Sequence, residues 1–256
     1  MDNIFFSAHA NDINCCVADF DVVNGYKEIT PHDIGINADN TNAIYYQGDR
    51  FPAGINITYG KNAKNSKIYI RSGSKFNNVR VVVNSSNNGV YIGKCCDIKG
   101  LTIAIPCKND SVVIGEGVVV TKTNTWTVGF NHGCAVNGII VGDHCLIAAD
   151  VCIRASDGHL ILDINSQNQI NKTQYPVIIE PYCWLGQRAA ILKNVKIGGA
   201  SIISFGAIVT KSFNPLSVLC GIPAKNIGTS DKIWQRNSNP ESIEIRKKYE
   251  KKYAGK

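Results

Sequence analysis

The stretch "IEPYCWLGQRAAILKNVKIGGASIISFGAIVTKSFN", residues 179–214, divides into blocks of six that each open on an aliphatic residue. The fifth place of successive blocks holds Cys183, Ala189, Val195, Ser201, Ala207 and Phe213. A period of six is neither the 3.6 of a helix nor the simple alternation of a strand. A unit this short cannot bury its own apolar face, so successive units must wind into a coil and stack. Three of them make a triangular turn of about 18 residues, with one short strand and one tight corner on each side. Gly89, Asn194 and Gly199 read as corner residues that supply positive φ or turn conformations.

The same frame fits "VGDHCLIAADVCIRASDG" from Val141, "IGKCCDIKGLTI" from Ile92, "IRSGSKFNNVRVVVNSSN" from Ile70 and, more loosely, "IGEGVVVTKTNT" from Ile114. The phase slips between these segments, which marks loops or irregular corners. The expected organisation is a segment of unassigned structure over residues 1–55, a solenoid over 56–229 and a helical tail over 230–256. In the tail, Asn239 can cap, Pro240 suits the first helical position, and Ile245, Tyr249 and Tyr253 recur on one face.

Bulk properties narrow the function. The N-terminus has no basic stretch followed by a long apolar one, and no segment is long enough to span a bilayer, which predicts a soluble, cytoplasmic protein. The ten cysteines lie far apart or as adjacent pairs and never as C-x-x-C, a pattern of free, mostly buried thiols. Of the formal charge of +7, most sits from Lys225 onward, where nine basic residues face four acidic ones. A basic tail can touch nucleic acid or an anionic membrane surface but is more often a solvated helix; no nucleic-acid partner is expected here, and peripheral membrane contact through the tail stays open.

The repeat breaks once in a telling place. After "IRASDG" the chain runs through "HLILDINSQNQINKTQYP" before the frame resumes at Ile179, and the excursion 159–178 is not a multiple of six. A rigid scaffold interrupted by one polar loop is a common way to build a site. His159 opens the loop, and Asp157 stands two residues before it, in a fifth place that elsewhere holds small or apolar residues. A carboxylate there needs a partner. Trp184 follows in the last place of its block, where side chains leave the core, whereas Cys183 in the fifth place reads as a core thiol.

S-D-G-H, a polar loop of this length and "VIIEPYCWLGQRAAILKNVKIG" together resemble the hexapeptide-repeat acyltransferases, and within them the capsule and lipopolysaccharide O-acetyltransferases of the polysialic acid type. The likeness runs from about Val141 to Lys225. It implies an all-β left-handed parallel β-helix with a short C-terminal α-helix, assembled as a homotrimer with donor sites between prisms. It implies acetyl-CoA as donor, a bacterial surface glycan as acceptor and no metal. The catalytic residues it implies are His159 as base and Trp184 lining the acetyl-donor site, and Asp157 joins them from its own place in the frame. Through "ISFGAIVTKSF" and "GIPAK" it implies donor contacts from Gly206, Ala207, Lys211 and Lys225. Two positions depart from the family pattern: Leu160 replaces a proline, and Phe205 stands where a small residue is usual.

An imidazole of near-neutral pKa suits removal of a hydroxyl proton. Its second nitrogen is expected to be held by Asp157, Asp163 or a backbone carbonyl. Arg154 and Asp163 are the acceptor-side candidates, Arg154 because it would meet an anionic sugar. Other readings are transfer to a nucleotide sugar or small molecule, and a glycan-binding solenoid without catalysis. A zinc enzyme on the same fold would need His132, His144 and His159, whose separations of 12 and 15 do not align on one edge of an 18-residue coil.

Overall fold

Strands of two to five residues stack in register around a hollow filled with aliphatic side chains, forming a three-sided prism. The computed structural model describes residues 3–130, 135–228 and 231–254. Each coil visits three faces in turn. One coil, for example, crosses face 1 at Asn137–Val141, face 2 at Leu146–Ile147 and face 3 at Cys152–Arg154. Neighbouring strands on a face run parallel, except where Lys27–Ile29 and Lys225–Asn226 close the ends of faces 1 and 2 antiparallel. The stacked solenoid expected from the repeat, and the parallel β-helix with a terminal α-helix that the resemblance implies, are the fold observed.

In-register stacking explains the six-residue period. The inward positions of face 2 form one column, Ile98, Val120, Ile147, Leu185, Ile203 and Leu219, every member fully buried. Each such side chain contributes about 1.5–3 kcal/mol on burial. The 18-residue coil holds only near the C-terminal end, where Ile179 lies opposite Ile197. Nearer the N-terminus Ile68 lies opposite Val90, 22 positions on. The cause is local: "VRVVV" (79–83) and "LTIAI" (101–105) form five-residue strands, whereas Ala190–Ile191 and Ile202–Ile203 span two residues.

The corner residues divide by cause. Asn194 adopts the expected left-handed conformation, φ 57°. Gly89 and Gly199 do not; they are needed for space. A Cβ on Gly89 would stand 2.8 Å from the Phe6 ring, and one on Gly199 2.0 Å from Tyr253.

Those two contacts mark where the chain ends press on the prism. Helices α1 (Ile4–Ala8) and α2 (Ala10–Cys16) lay Phe5, Phe6, Ile13 and Cys16 on the outer side of face 1, against Tyr69, Tyr91, Val113, Ile140 and Ile178. Arg71 fastens the following segment, donating to the Asp19 carbonyl (2.6 Å) and carboxylate (3.2 Å). At the other end α3 (Pro240–Tyr253) starts from Asn239, whose side chain accepts from the Ser242 N–H at 2.7 Å. Its Tyr249 and Tyr253 join Trp234, Tyr182 and Leu216 on the outer side of face 2. The outward rows of face 3, including Arg80, Thr102, Ala104, Thr125 and Thr127, carry no covering helix among the described residues. Among those residues no helix is long and apolar enough to cross a membrane, and the nine described cysteines are free.

Candidate active site

Two successive coils leave the frame at the same edge, between face 3 and the next face 1. The first does so after Asn124–Thr127 and the second after Cys152–Arg154. The two excursions touch: the Phe130 N–H donates to Ser156 Oγ at 3.0 Å. A Cβ on Gly129 would collide with that hydroxyl at 1.6 Å, so the approach requires glycine. Thr173 Oγ1 closes the base of the longer loop on the Ala155 carbonyl (3.3 Å). Its outer part is a small hairpin, in which Leu162 bridges Gln169 and Asp163 Oδ1 caps the tip by accepting from the N–H groups of Asn165 (3.1 Å) and Ser166 (2.8 Å).

Between the loops lies a cavity of about 460 Å³ lined by Phe130, Arg154, Asp157, Gly158 and His159. His159 is exposed there, and no hydrogen bond to its imidazole is found among the described residues; its carbonyl accepts from Asn171 Nδ2 at 2.8 Å. Neither carboxylate considered from the sequence orients the ring. Asp157 binds Lys193 Nζ (2.5 Å) and Asn171 Nδ2 (2.8 Å), and Asp163 serves the hairpin tip. Asp157 is also more exposed than the frame implied, because Ala155 and Ser156 take the buried places at this corner. Partial burial works to raise its pKa, but hydrogen bonds from Lys193 and Asn171 and the charges of Lys193 and Arg154 outweigh that and hold the carboxyl below its ordinary range.

The donor-side candidates lie elsewhere. Trp184 points outward from face 2 between Leu146 and Ile202, 40 % exposed, with the Trp234 ring 6.2 Å away. Cys183 beside it is fully buried, its thiol pushed well up by burial and then by Cys145, and it donates to the Gly198 carbonyl. Gly206 (φ 68°) and the buried Ala207 turn the edge between faces 2 and 3, their N–H groups bonded to the carbonyls of Gln187 and Ser204. Lys225 pairs with Cys220 at the end of face 2. Lys211 instead lies on the edge that bears His159, in a cleft of about 660 Å³ with Tyr175, Glu180 and Lys196.

The candidates therefore form two groups. Arg154, Asp157, His159, Asp163 and Lys211 occupy one edge of the prism; Trp184, Gly206, Ala207 and Lys225 occupy face 2 and its far edge. In a three-sided prism the edge between faces 3 and 1 is opposite face 2, so His159 and Trp184 of one chain cannot meet. His144 lies under α3, its ring 5.9 Å from that of Tyr249, and His132 falls outside the described residues. Sequence reasoning missed Phe130, Asn171 and Lys193. A phase slip before Val141 was the one signal of the first; the other two are ordinary polar residues until the loop is folded.

No protein-family model matches the sequence. The chain is 35 % identical over 154 residues to a polysialic acid O-acetyltransferase of Escherichia coli O1:K1 / APEC, covering 60 % of this chain and 47 % of that protein. It is 29 % identical over 89 residues to the galactoside O-acetyltransferase of Escherichia coli K12, covering 35 % and 43 %. The chain thus spans about half the length of these curated relatives or slightly less. A crystallographically analysed polysialic acid O-acetyltransferase superposes with a TM-score of 0.60 at 25 % identity, covering 76 % of this chain and 99 % of that one. Stacked hexapeptide coils and this likeness define the class: the chain is a parallel β-helix of the hexapeptide-repeat kind, similar in fold to acyltransferases built on it. Among proteins of that class it is similar to the polysialic acid O-acetyltransferases.

Proposed function

We propose that the protein transfers an acetyl group from acetyl-CoA to a hydroxyl of an anionic bacterial surface glycan, with His159 as general base. The observation that carries this is the cavity at the edge between faces 3 and 1, where an exposed imidazole shares one space with Arg154 and Phe130. An acceptor sugar lies there with its carboxylate on Arg154 and a ring face on Phe130. His159 takes the hydroxyl proton as the oxygen attacks the thioester carbonyl. The new C–O bond forms, the C–S bond breaks, and the proton passes to the departing thiolate. An acyl-enzyme on Cys183 is disfavoured, since its thiol is buried and protonated. Trp184 packs on the donor, and Gly206, Ala207, Lys211 and Lys225 bound its path.

The donor and acceptor groups come together between copies, as a homotrimer would allow. Two exposed apolar patches support that assembly. The hairpin exposes Ile161, Leu162, Ile164 and Ile170, and the far side of the prism exposes Phe205, Ile222 and Ile227. Patches of this kind mark association surfaces. His159→Ala is expected to lower CoA thiol release with a sialic acid polymer by about 10²–10⁴-fold while leaving thermal unfolding unchanged. Trp184→Ala should raise KM for acetyl-CoA. Near-normal turnover in the His159 variant would overturn the mechanism.

A further inference from the structure

We propose that Asn171 and Lys193 are positioning residues that hold the backbone on both sides of His159 in its working geometry. The inference rests on the reading of His159 as base and goes beyond it, because neither residue faces the cavity.

One side chain does most of the fastening. Asn171 Nδ2 donates to the His159 carbonyl and to Asp157 Oδ2, both at 2.8 Å. Its Oδ1 accepts from the Ile161 N–H at 2.9 Å and from Gln169 Nε2 at 3.2 Å. The amide therefore grips residues 157, 159 and 161, the turn that carries the imidazole, and ties them to the returning limb of the hairpin. Lys193 connects that grip to the scaffold. It belongs to the next coil, between Ala190–Ile191 and Lys196–Ile197, and its Nζ donates to Asp157 Oδ2 and to the Asn171 carbonyl, both at 2.5 Å.

The arrangement answers a specific need. The His159 ring has no orienting hydrogen bond among the described residues, and the loop exposes its outer aliphatics to solvent. Among the described residues it is the backbone that fixes where the base sits, and a displacement of about 1 Å in such a group can cost about 100-fold in rate. Asp157 is then a bridge between Asn171 and Lys193 and acts on His159 through the chain.

Steady-state kinetics on the full-length protein with acetyl-CoA and a sialic acid polymer test this. Asn171→Ala should lower kcat about 10- to 100-fold, with KM for acetyl-CoA within about twofold and the unfolding temperature nearly unchanged. Lys193→Met should lower kcat about tenfold, and Lys193→Arg, which keeps the cation, should restore most of it. The double variant His159→Ala/Asn171→Ala should be no slower than His159→Ala alone, because a residue acting through the base has nothing left to position. The proposal is overturned if Asn171→Ala keeps kcat within about threefold, if Lys193→Arg and Lys193→Met fall alike, or if the double variant is slower than His159→Ala. Turnover retained in His159→Ala would instead sink the assignment of the base, so the two failures are distinguishable.

Discussion

A methyl group added at Gly198 would stand 2.2 Å from the Pro215 backbone nitrogen, and the obstacle is the next coil's main chain, which has nowhere to move. Gly198→Ala should therefore destabilise the fold by about 1–3 kcal/mol or more, read as a lower urea midpoint. Gly206→Ala is the contrast: nothing lies within 4 Å of its Cβ, so only the left-handed backbone (φ 68°) opposes the change, at about 1–2 kcal/mol. Residues whose role follows from their place in the repeat were legible before the structure. Cys183 was read as core and is fully buried; Trp184 was read as leaving the core and is 40 % exposed. Asp157 has the partners its carboxylate was expected to need, but it is more exposed than the frame implied, because the frame slips one corner early, at Ala155 and Ser156. Asn171 and Lys193 were invisible because all but one of their partners lie 10 to 36 positions away, across a loop whose path no period encodes.

Among the elements, α3 was legible from its cap, its first-turn proline and its aromatic stripe. The helices α1 and α2 were not. They have five and seven residues, too short to stand on propensity, and they exist through Phe5, Phe6 and Ile13 packing on a face whose aromatics arrive from distant coils. The docking of α3 carries a pH signature. Burial, and then the charges of Lys248 and Arg236, push the His144 pKa down to about 4. The unfolded chain takes up a proton below about pH 6.5 that the folded chain refuses. Stability from this group is thus complete above pH 6.5 and is lost as pH falls through 4, by about 2 kcal/mol between pH 7 and pH 5. The neighbouring Asp143, its pKa raised chiefly by burial, pulls the opposite way, so the informative quantity is a difference. His144→Gln should lose about 2 kcal/mol less than wild type between those two pH values, measured by urea unfolding at each. Equal losses would mean that His144 is not excluded from protonation in the folded protein.

At the scale of the whole molecule, placing His159 on one edge and Trp184 on the opposite face makes a prediction that no single-chain site shares. If each working site takes its base from one copy and its indole from the next, the two lesions need not coincide at any one site. Mixed assemblies of His159→Ala and Trp184→Ala chains contain sites in which the intact histidine of one chain meets the intact tryptophan of its neighbour. In a closed ring assembled at random from equal amounts, about one site in four is of that kind. Refolding the two variants together, assayed at an acetyl-CoA concentration far below the raised KM of Trp184→Ala, should therefore recover about a quarter of wild-type thiol release, while each refolded alone recovers little. Complementation has to follow subunit exchange, so mixing the pre-assembled variants without refolding should give less. Absence of recovery after refolding, with association confirmed by light scattering, would place base and donor contacts on the same chain. That outcome contradicts the prism geometry, in which a closed core of aliphatic columns separates them.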